Sequence, residues 1–273
     1  MRVGELRARW KAAAERRSIS PRDVDVLLGD LLERPLSWLL AHEDDEVPPD
    51  PARELAARMQ RRLDHEPLQY IRGRTEFFGR EIVVAPGVLI PRPETEHLVE
   101  QALGRIRPGG LVLEVGTGSG CIAISLALER PDLRITATEI SLRAAAVAAH
   151  NARVHGARVR LVVTDVFEAV AQHGLAAIVS NPPYVPAGDL HALQPEVRRF
   201  EPEIALTPGR TGLELIERIV EGAPRLLESD GLILLEIGFS QAAAVERAAA
   251  GRGWKARFHD DLAGIPRVAI LSR

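Results

Sequence analysis

The chain has 273 residues, 46% hydrophobic and 27% charged, an ordinary globular composition with length for one large domain and a smaller one. Its 35 Lys and Arg against 38 Asp and Glu leave a formal net charge of -3, which argues against a protein that holds nucleic acid mainly through phosphates. The single cysteine excludes an intrachain disulfide framework, and the charged first 17 residues and the lack of a long uncharged apolar run leave no expected signal peptide or membrane span, so a cytoplasmic location is expected.

Residues 1–66 read as helices only. Leu6, Trp10 and Ala13 recur at helical spacing, and Ser20-Pro21-Arg22-Asp23 is a helix start before the stripe of Leu27, Leu28, Leu31 and Leu32. Asp50-Pro51 opens another helix carrying Leu55, Met59 and Leu63, and Glu43-Asp44-Asp45-Glu46 is a solvated linker. Residues 67–90 change character. Tyr70-Ile71, Phe77-Phe78 and the β-branched Ile82-Val83-Val84 predict a hairpin joining two domains.

Residues 91–273 form the third division. Pro91-Arg92-Pro93 precedes an amphipathic helix from Glu94 to about Ile106. Short apolar runs follow at 111–115, 134–138, 159–163, 176–180 and 232–237, with helical stretches such as 144–154 between the early ones. Continuous rather than alternating apolar strands are covered on both faces, so a parallel doubly wound α/β sheet is expected. Residues 255–259 and 267–271 supply a closing antiparallel pair.

The strand ending at Glu114-Val115 runs into Gly116-Thr117-Gly118-Ser119-Gly120 and then an apolar helix. Glycines let backbone approach a ligand, and the helix start favours an electron-rich group. Dinucleotide folds want G-x-G-x-x-G, whereas here the third glycine comes one residue early. The acid-x-G-x-G-x-G pattern resembles the S-adenosylmethionine site of Rossmann-like methyltransferases, in which the acid lies near the cofactor's amino acid moiety. Two further acids end strands: Glu139, suited to ribose hydroxyls, and Asp165, suited to the adenine amino group, with Val166 or Phe167 on the adenine face. Cys121 reads as a small buried residue, and the eight histidines show no metal-ligand spacing, so no metal site is expected.

The fourth strand ends in Asn181-Pro182-Pro183-Tyr184. The prolines fix the backbone and remove two amide donors, so the Asn181 side-chain oxygen and the Pro182 carbonyl form paired acceptors for one planar NH2 group. Tyr184 adds an aromatic wall. With the glycine loop this motif resembles amino-group methyltransferases, whose acceptors are adenine N6, cytosine N4 or glutamine N5.

The chain as a whole resembles the HemK/PrmC family, which methylates the side-chain amide (N5) of the glutamine in the Gly-Gly-Gln loop of peptide chain release factors. The resemblance includes Glu66 to Ile71, Phe77-Phe78-Gly79, Leu89 to Glu96, the two motifs above, Glu201-Pro202 with Ala205-Leu206, and Leu235-Glu236-Ile237-Gly238 with Gln241. Glu114 and Glu139 stand where aspartates are usual, and Thr207-Pro208-Gly209 replaces a more glycine-rich turn. It implies a class I methyltransferase fold, a mostly parallel seven-stranded sheet with an antiparallel C-terminal hairpin, plus a small N-terminal helical bundle that docks the substrate. It also implies S-adenosylmethionine as cofactor and release factors as protein partners; composition and charge add the expectation of a monomer without membrane or sequence-specific nucleic-acid partners. The rival readings are a sister enzyme acting on a ribosomal protein, an adenine methyltransferase, and a non-catalytic dinucleotide-binding domain. Near charge balance favours a protein substrate over DNA, which demands phosphate grip and base flipping. Residues 1–17 hold six cations (Arg2, Arg7, Arg9, Lys11, Arg16, Arg17) against Glu5 and Glu15, an excess of four (6 − 2), which suggests docking to an acidic surface.

Overall fold

In the computed structural model, which describes residues 1–261 and 263–273, the chain divides into two units: Met1–Gly73 with Pro195–Phe200, and Arg74–Gln194 with Glu201–Arg273.

The first unit packs α1 (Val3–Glu15), α2 (Arg22–Leu32), α3 (Leu36–Ala41), α4 (Pro49–Leu63) and α5 (Leu68–Arg72) around a core that includes Leu6, Leu27, Leu28, Leu39, Leu55 and Met59. Prolines 49 and 51 sit in the first turn of α4, where a missing N–H leaves no intrahelical bond unmade. Leu68–Arg72 is a helix instead of part of a hairpin. Pro67 accepts the Tyr70 and Ile71 amides, and Gly73, at φ 75, closes the turn in the left-handed conformation. Burial of Tyr70 and Ile71 outweighs their strand preference.

Several of the expected docking cations are engaged internally. Arg7 pairs with Asp25 at 2.8 Å and Glu43 at 2.6 Å, Lys11 with Asp25 at 2.7 Å, and Arg2 with Asp44 at 3.0 Å. Arg9, Arg16 and Arg17 remain exposed, so the local charge excess largely neutralises acids of the same unit. A second buried cation, Arg62, holds Asp23 at 2.7 Å and Glu196 at 3.2 Å; Glu196 lies on α9 (Pro195–Phe200), an insertion from the far end of the sequence.

The second unit opens with the antiparallel hairpin β1 (Arg74–Phe77) and β2 (Arg80–Val83), then α6 (Thr95–Arg105). Seven strands follow: β3 (Leu111–Val115), β4 (Arg134–Glu139), β5 (Val159–Val163), β6 (Leu175–Ser180), β7 (Leu227–Glu236), β8 (Lys255–Asp260) and β9 (Pro266–Ser272). Their spatial order is β5-β4-β3-β6-β7-β9-β8, parallel through β7 and antiparallel in the last two pairings. The helices α7 (Cys121–Glu129), α8 (Leu142–Val154), α10 (Glu214–Gly222) and α11 (Ala242–Ala250) complete this Rossmann-like layering. Every residue of β6 is buried, as a strand covered on both faces requires. The chain reverses direction across the sheet between β3 and β6, and the carboxyl edge at such a switch point is where α/β sheets bind ligands. Among the described residues no helix is long and apolar enough to cross a membrane.

Candidate active site

A cavity of about 320 Å³ lies at the carboxyl edge of the sheet. Its lining includes Gly116, Thr117, Gly118 and Ser119 after β3, Glu139 and Ile140 at the end of β4, Asp165 after β5, and Asn181 and Pro183 after β6. Four loops separated in sequence thus converge on one space.

The glycine loop is built for close approach. Gly116 and Gly118 have φ of 73° and 56°, and a Cβ at either would meet nothing within 4 Å, so bare backbone borders free volume. The loop is pinned from below, since the Gly116 and Thr117 amides donate to the Thr138 carbonyl at 2.9 and 3.0 Å. Glu139 braces it from the side, accepting the Gly118 N–H at 2.8 Å and the Ser141 N–H at 2.9 Å. Each Glu139 oxygen keeps a further lone pair for hydroxyls of a ligand.

Glu114 lies beneath the loop, fully buried, and is not part of the lining. It accepts the Thr117 hydroxyl at 2.6 Å on Oε2, while Oε1 makes no hydrogen bond of normal geometry. Burial pushes its carboxyl up to about 7, against the Thr117 hydroxyl and the Ala123 N–H, which pull it down; the Glu139 charge adds to the rise. The Ser119 hydroxyl, buried in the same lining, has the Cys121 thiol beside it but no hydrogen bond of normal geometry. Unmatched polar atoms beside a bare glycine cradle fit a polar, amine-bearing ligand better than an empty core, so the residues present suit S-adenosylmethionine.

Asp165 reaches the cavity, but it is held by Arg218 of α10 through bonds of 3.1 and 2.8 Å, a partner that lay unmarked in the sequence. Val166 and Phe167 are buried in the core and absent from the lining. Val166 takes φ 48, rare for a β-branched residue, and Phe167 is turned under α10, where Gly222 leaves room for its ring. The apolar wall is formed instead by residues such as Ile140, Ile204 and Leu215.

At the end of β6, Asn181 donates from Nδ2 to the Thr95 hydroxyl at 3.0 Å. Pro182 is buried and Pro183 borders the cavity. Tyr184 is outside the lining; its hydroxyl lies 3.5 Å from Glu236 Oε1, and burial with the Glu236 charge drives its pKa up, which keeps the phenol neutral. The loop is clamped by Gln241, whose Nε2 donates to the Tyr184 and Gly212 carbonyls at 3.0 and 3.1 Å. Glu201 fixes another wall, accepting the Ile90 N–H at 3.2 Å and pairing with Arg92. Cys121 borders the cavity with its thiol pushed up to about 12 by burial, so it is no nucleophile there.

Thr95, Arg218 and Glu201 take roles that their sequence neighbours do not announce, although Thr95 and Glu201 stand within segments that carry the family resemblance. Nothing local marks Arg218, which becomes relevant only when α10 is laid across the sheet edge.

Residues 94–195 match the family model of the methyltransferase small domain, and residues 5–73 match that of the PrmC N-terminal domain. A release factor glutamine methyltransferase of Neisseria gonorrhoeae is 46% identical over 236 residues, 85% of this chain and 86% of that one. The enzyme of the same name from Bordetella pertussis is 46% identical over 253 residues, 89% and 92% of the two chains. Among solved structures, a methyltransferase from Pyrococcus furiosus superposes with a TM-score of 0.56 at 20% identity, covering 72% of this chain and 89% of that chain, a likeness of fold.

Proposed function

The chain belongs to the release factor glutamine methyltransferase family, and from that premise we propose that Asn181 and Pro182 present the glutamine of a release factor's Gly-Gly-Gln loop for methylation on its side-chain nitrogen, N5. The observation that carries this reading is Asn181 at the rim of a cavity whose other walls are the glycine loop, Glu139 and Asp165. S-adenosylmethionine, when bound, supplies an electrophilic methyl group on a sulfonium sulfur.

An amide nitrogen is a poor nucleophile, because its lone pair is delocalised into the carbonyl. The Asn181 oxygen and the Pro182 carbonyl accept its two N–H groups, orient the nitrogen and stabilise positive charge that develops on it. Orientation of this kind is worth up to about 7–11 kcal/mol in favourable systems, and preorganised acceptors add to it. No base is needed beforehand, since the proton departs after the nitrogen has become cationic. Gly116 to Ser119, with Glu139 and Asp165, hold the cofactor, while Gly120 packs against Ile124 and Ala148 at the start of α7; Glu114 acts from below through Thr117. Tyr184 shapes the substrate side as a neutral phenol. On this reading the protein works in the cytoplasm as a monomer on a protein substrate.

The test is incubation with labelled S-adenosylmethionine and either an intact release factor, the same factor with its loop glutamine changed to alanine, a ribosomal protein fraction, or an adenine-containing oligonucleotide. Label confined to the intact factor is the expected result. Label on nucleic acid or ribosomal protein would overturn the assignment. Asn181→Ala is expected to lower kcat with little change in cofactor affinity.

A further inference from the structure

We infer that Thr95 and Glu236 are positioning residues that fix which end of the Asn181 side-chain amide faces the substrate; this rests on the reading of Asn181 as the acceptor of a substrate N–H. A carboxamide has two ends of nearly equal shape and opposite chemistry, and only its surroundings decide which end points where. Asn181 Nδ2 donates to Thr95 Oγ1 at 3.0 Å, which leaves Oδ1 for the cavity that both residues line.

A hydroxyl carries one proton. Oγ1 accepts reliably from Asn181 only if its own proton is committed elsewhere, and the carboxyl lying against Thr95 is Glu236 at the end of β7. Thr95 and Glu236 are each 2% exposed, so bulk water is excluded from both. Glu236 Oε2 is buried and without a hydrogen-bond partner, so it is open to the Thr95 proton, and the Tyr184 hydroxyl approaches the opposite oxygen. A hydrogen bond from Thr95 to the ionised carboxylate, which accepts and cannot donate, would set the direction of the chain: Thr95 donates to Glu236, Asn181 donates to Thr95, and Oδ1 is left facing outward. With the direction reversed, Thr95 would donate to Oδ1 and the Asn181 NH2 would meet the substrate NH2, donor against donor. An unmatched pair of this kind costs roughly 1–3 kcal/mol, which is about 10- to 100-fold in rate.

The charged groups that bear on Glu236 are few. Burial pushes its carboxyl up to about 7; the Thr95 hydroxyl, Arg267 of β9 and the Tyr184 hydroxyl pull it down, and Glu94 pushes it up. Protonation weakens Glu236 as an acceptor and gives it a proton to donate to Oγ1, which undoes the direction of the chain, so kcat is expected to rise as pH rises through about 7.

Thr95→Val, Thr95→Ser, Glu236→Gln and Asn181→Ala test the inference, with kcat, KM for the release factor, cofactor affinity by calorimetry, melting temperature, and the side-chain amide NMR resonances of Asn181 as readouts. Thr95→Val and Glu236→Gln are expected to lower kcat about 10- to 100-fold with cofactor affinity preserved and without loss of the folded state, as the melting transition shows. Thr95→Ser retains the rate, and the Asn181 amide resonances move in Thr95→Val but not in Thr95→Ser. The wild-type rise of kcat with pH is lost in Glu236→Gln. Full kcat in Thr95→Val beside an impaired Asn181→Ala would refute the positioning role and leave the acceptor reading standing. Full kcat in Asn181→Ala would remove the acceptor reading itself. If a variant fails to fold, the wild-type amide orientation still decides, because Asn181 Oδ1 in place of Nδ2 against Thr95, read by NMR, overturns the inference.

Discussion

Glu114 and Glu236 close off two carboxyls from water at the ends of β3 and β7, and burial raises each from its ordinary 4.5 to about 7. Between those values the folded protein holds protons that the unfolded chain has released. By linkage this contribution to stability is fully present below pH 4.5 and is lost as pH rises through about 7. The shift corresponds to on the order of 3 kcal/mol per group at most. The ligand-free protein is therefore expected to resist urea better at pH 5.5 than at pH 8, and Glu114→Gln is expected to reduce that difference. A stability that increases steadily over this range would contradict the burial of both groups. Asp165 belongs to the same scale. Its alanine variant is expected to weaken cofactor binding about tenfold, the loss of one charge-assisted hydrogen bond, as calorimetry would register.

At the scale of elements, what was legible in the sequence was whatever its own neighbours dictate. The glycine loop, the acids at strand ends and the Asn-Pro-Pro-Tyr turn follow from residues adjacent in the chain, so strand-to-turn-to-helix could be read directly. The partners of those groups could not. Thr95 and Asn181 are 86 positions apart, and the Asp165–Arg218 pair spans 53, distances over which periodicity carries no information. Phe167 shows the same limit. Its place after an acidic strand end suggests a ligand wall, yet packing beneath α10 claims the ring, with Arg225 stacked 4.9 Å from its centre. A Cβ on Gly222 would lie 2.2 Å from that ring. Gly222→Ala is thus expected to destabilise the fold by about 1–3 kcal/mol through overpacking, measured by denaturant titration. An unchanged midpoint would show that the ring can move.

For the whole molecule, the buried arginines of the helical unit matter more than its net charge. Arg62, 5% exposed, joins Asp23 of α2, the Glu66 carbonyl and Glu196 of α9. Breaking a buried pair leaves a charge without compensation, so Arg62→Ala is expected to cost about 3–5 kcal/mol in chemical denaturation. Cofactor affinity should change little, since none of these residues lines the cavity. Transfer to an intact release factor should fall further than transfer to a short glutamine peptide; equal losses on both would argue against a docking role for this unit.

The membership of Pro195–Phe200 in the first unit has a consequence for heredity as much as for mechanics. The second unit is interrupted in sequence, breaking off at Gln194, ten positions after Tyr184, and resuming at Glu201. Neither unit can be excised, shuffled or inherited as one uninterrupted stretch of gene. A fragment starting at Arg74 would carry α9 without the Arg62 that receives it, and so would lose the anchor of the chain that leaves Tyr184 along with the helical unit. Should the helical unit dock the substrate, docking and methyl transfer are tied through Pro195–Phe200 and cannot be separated by a single break in the chain.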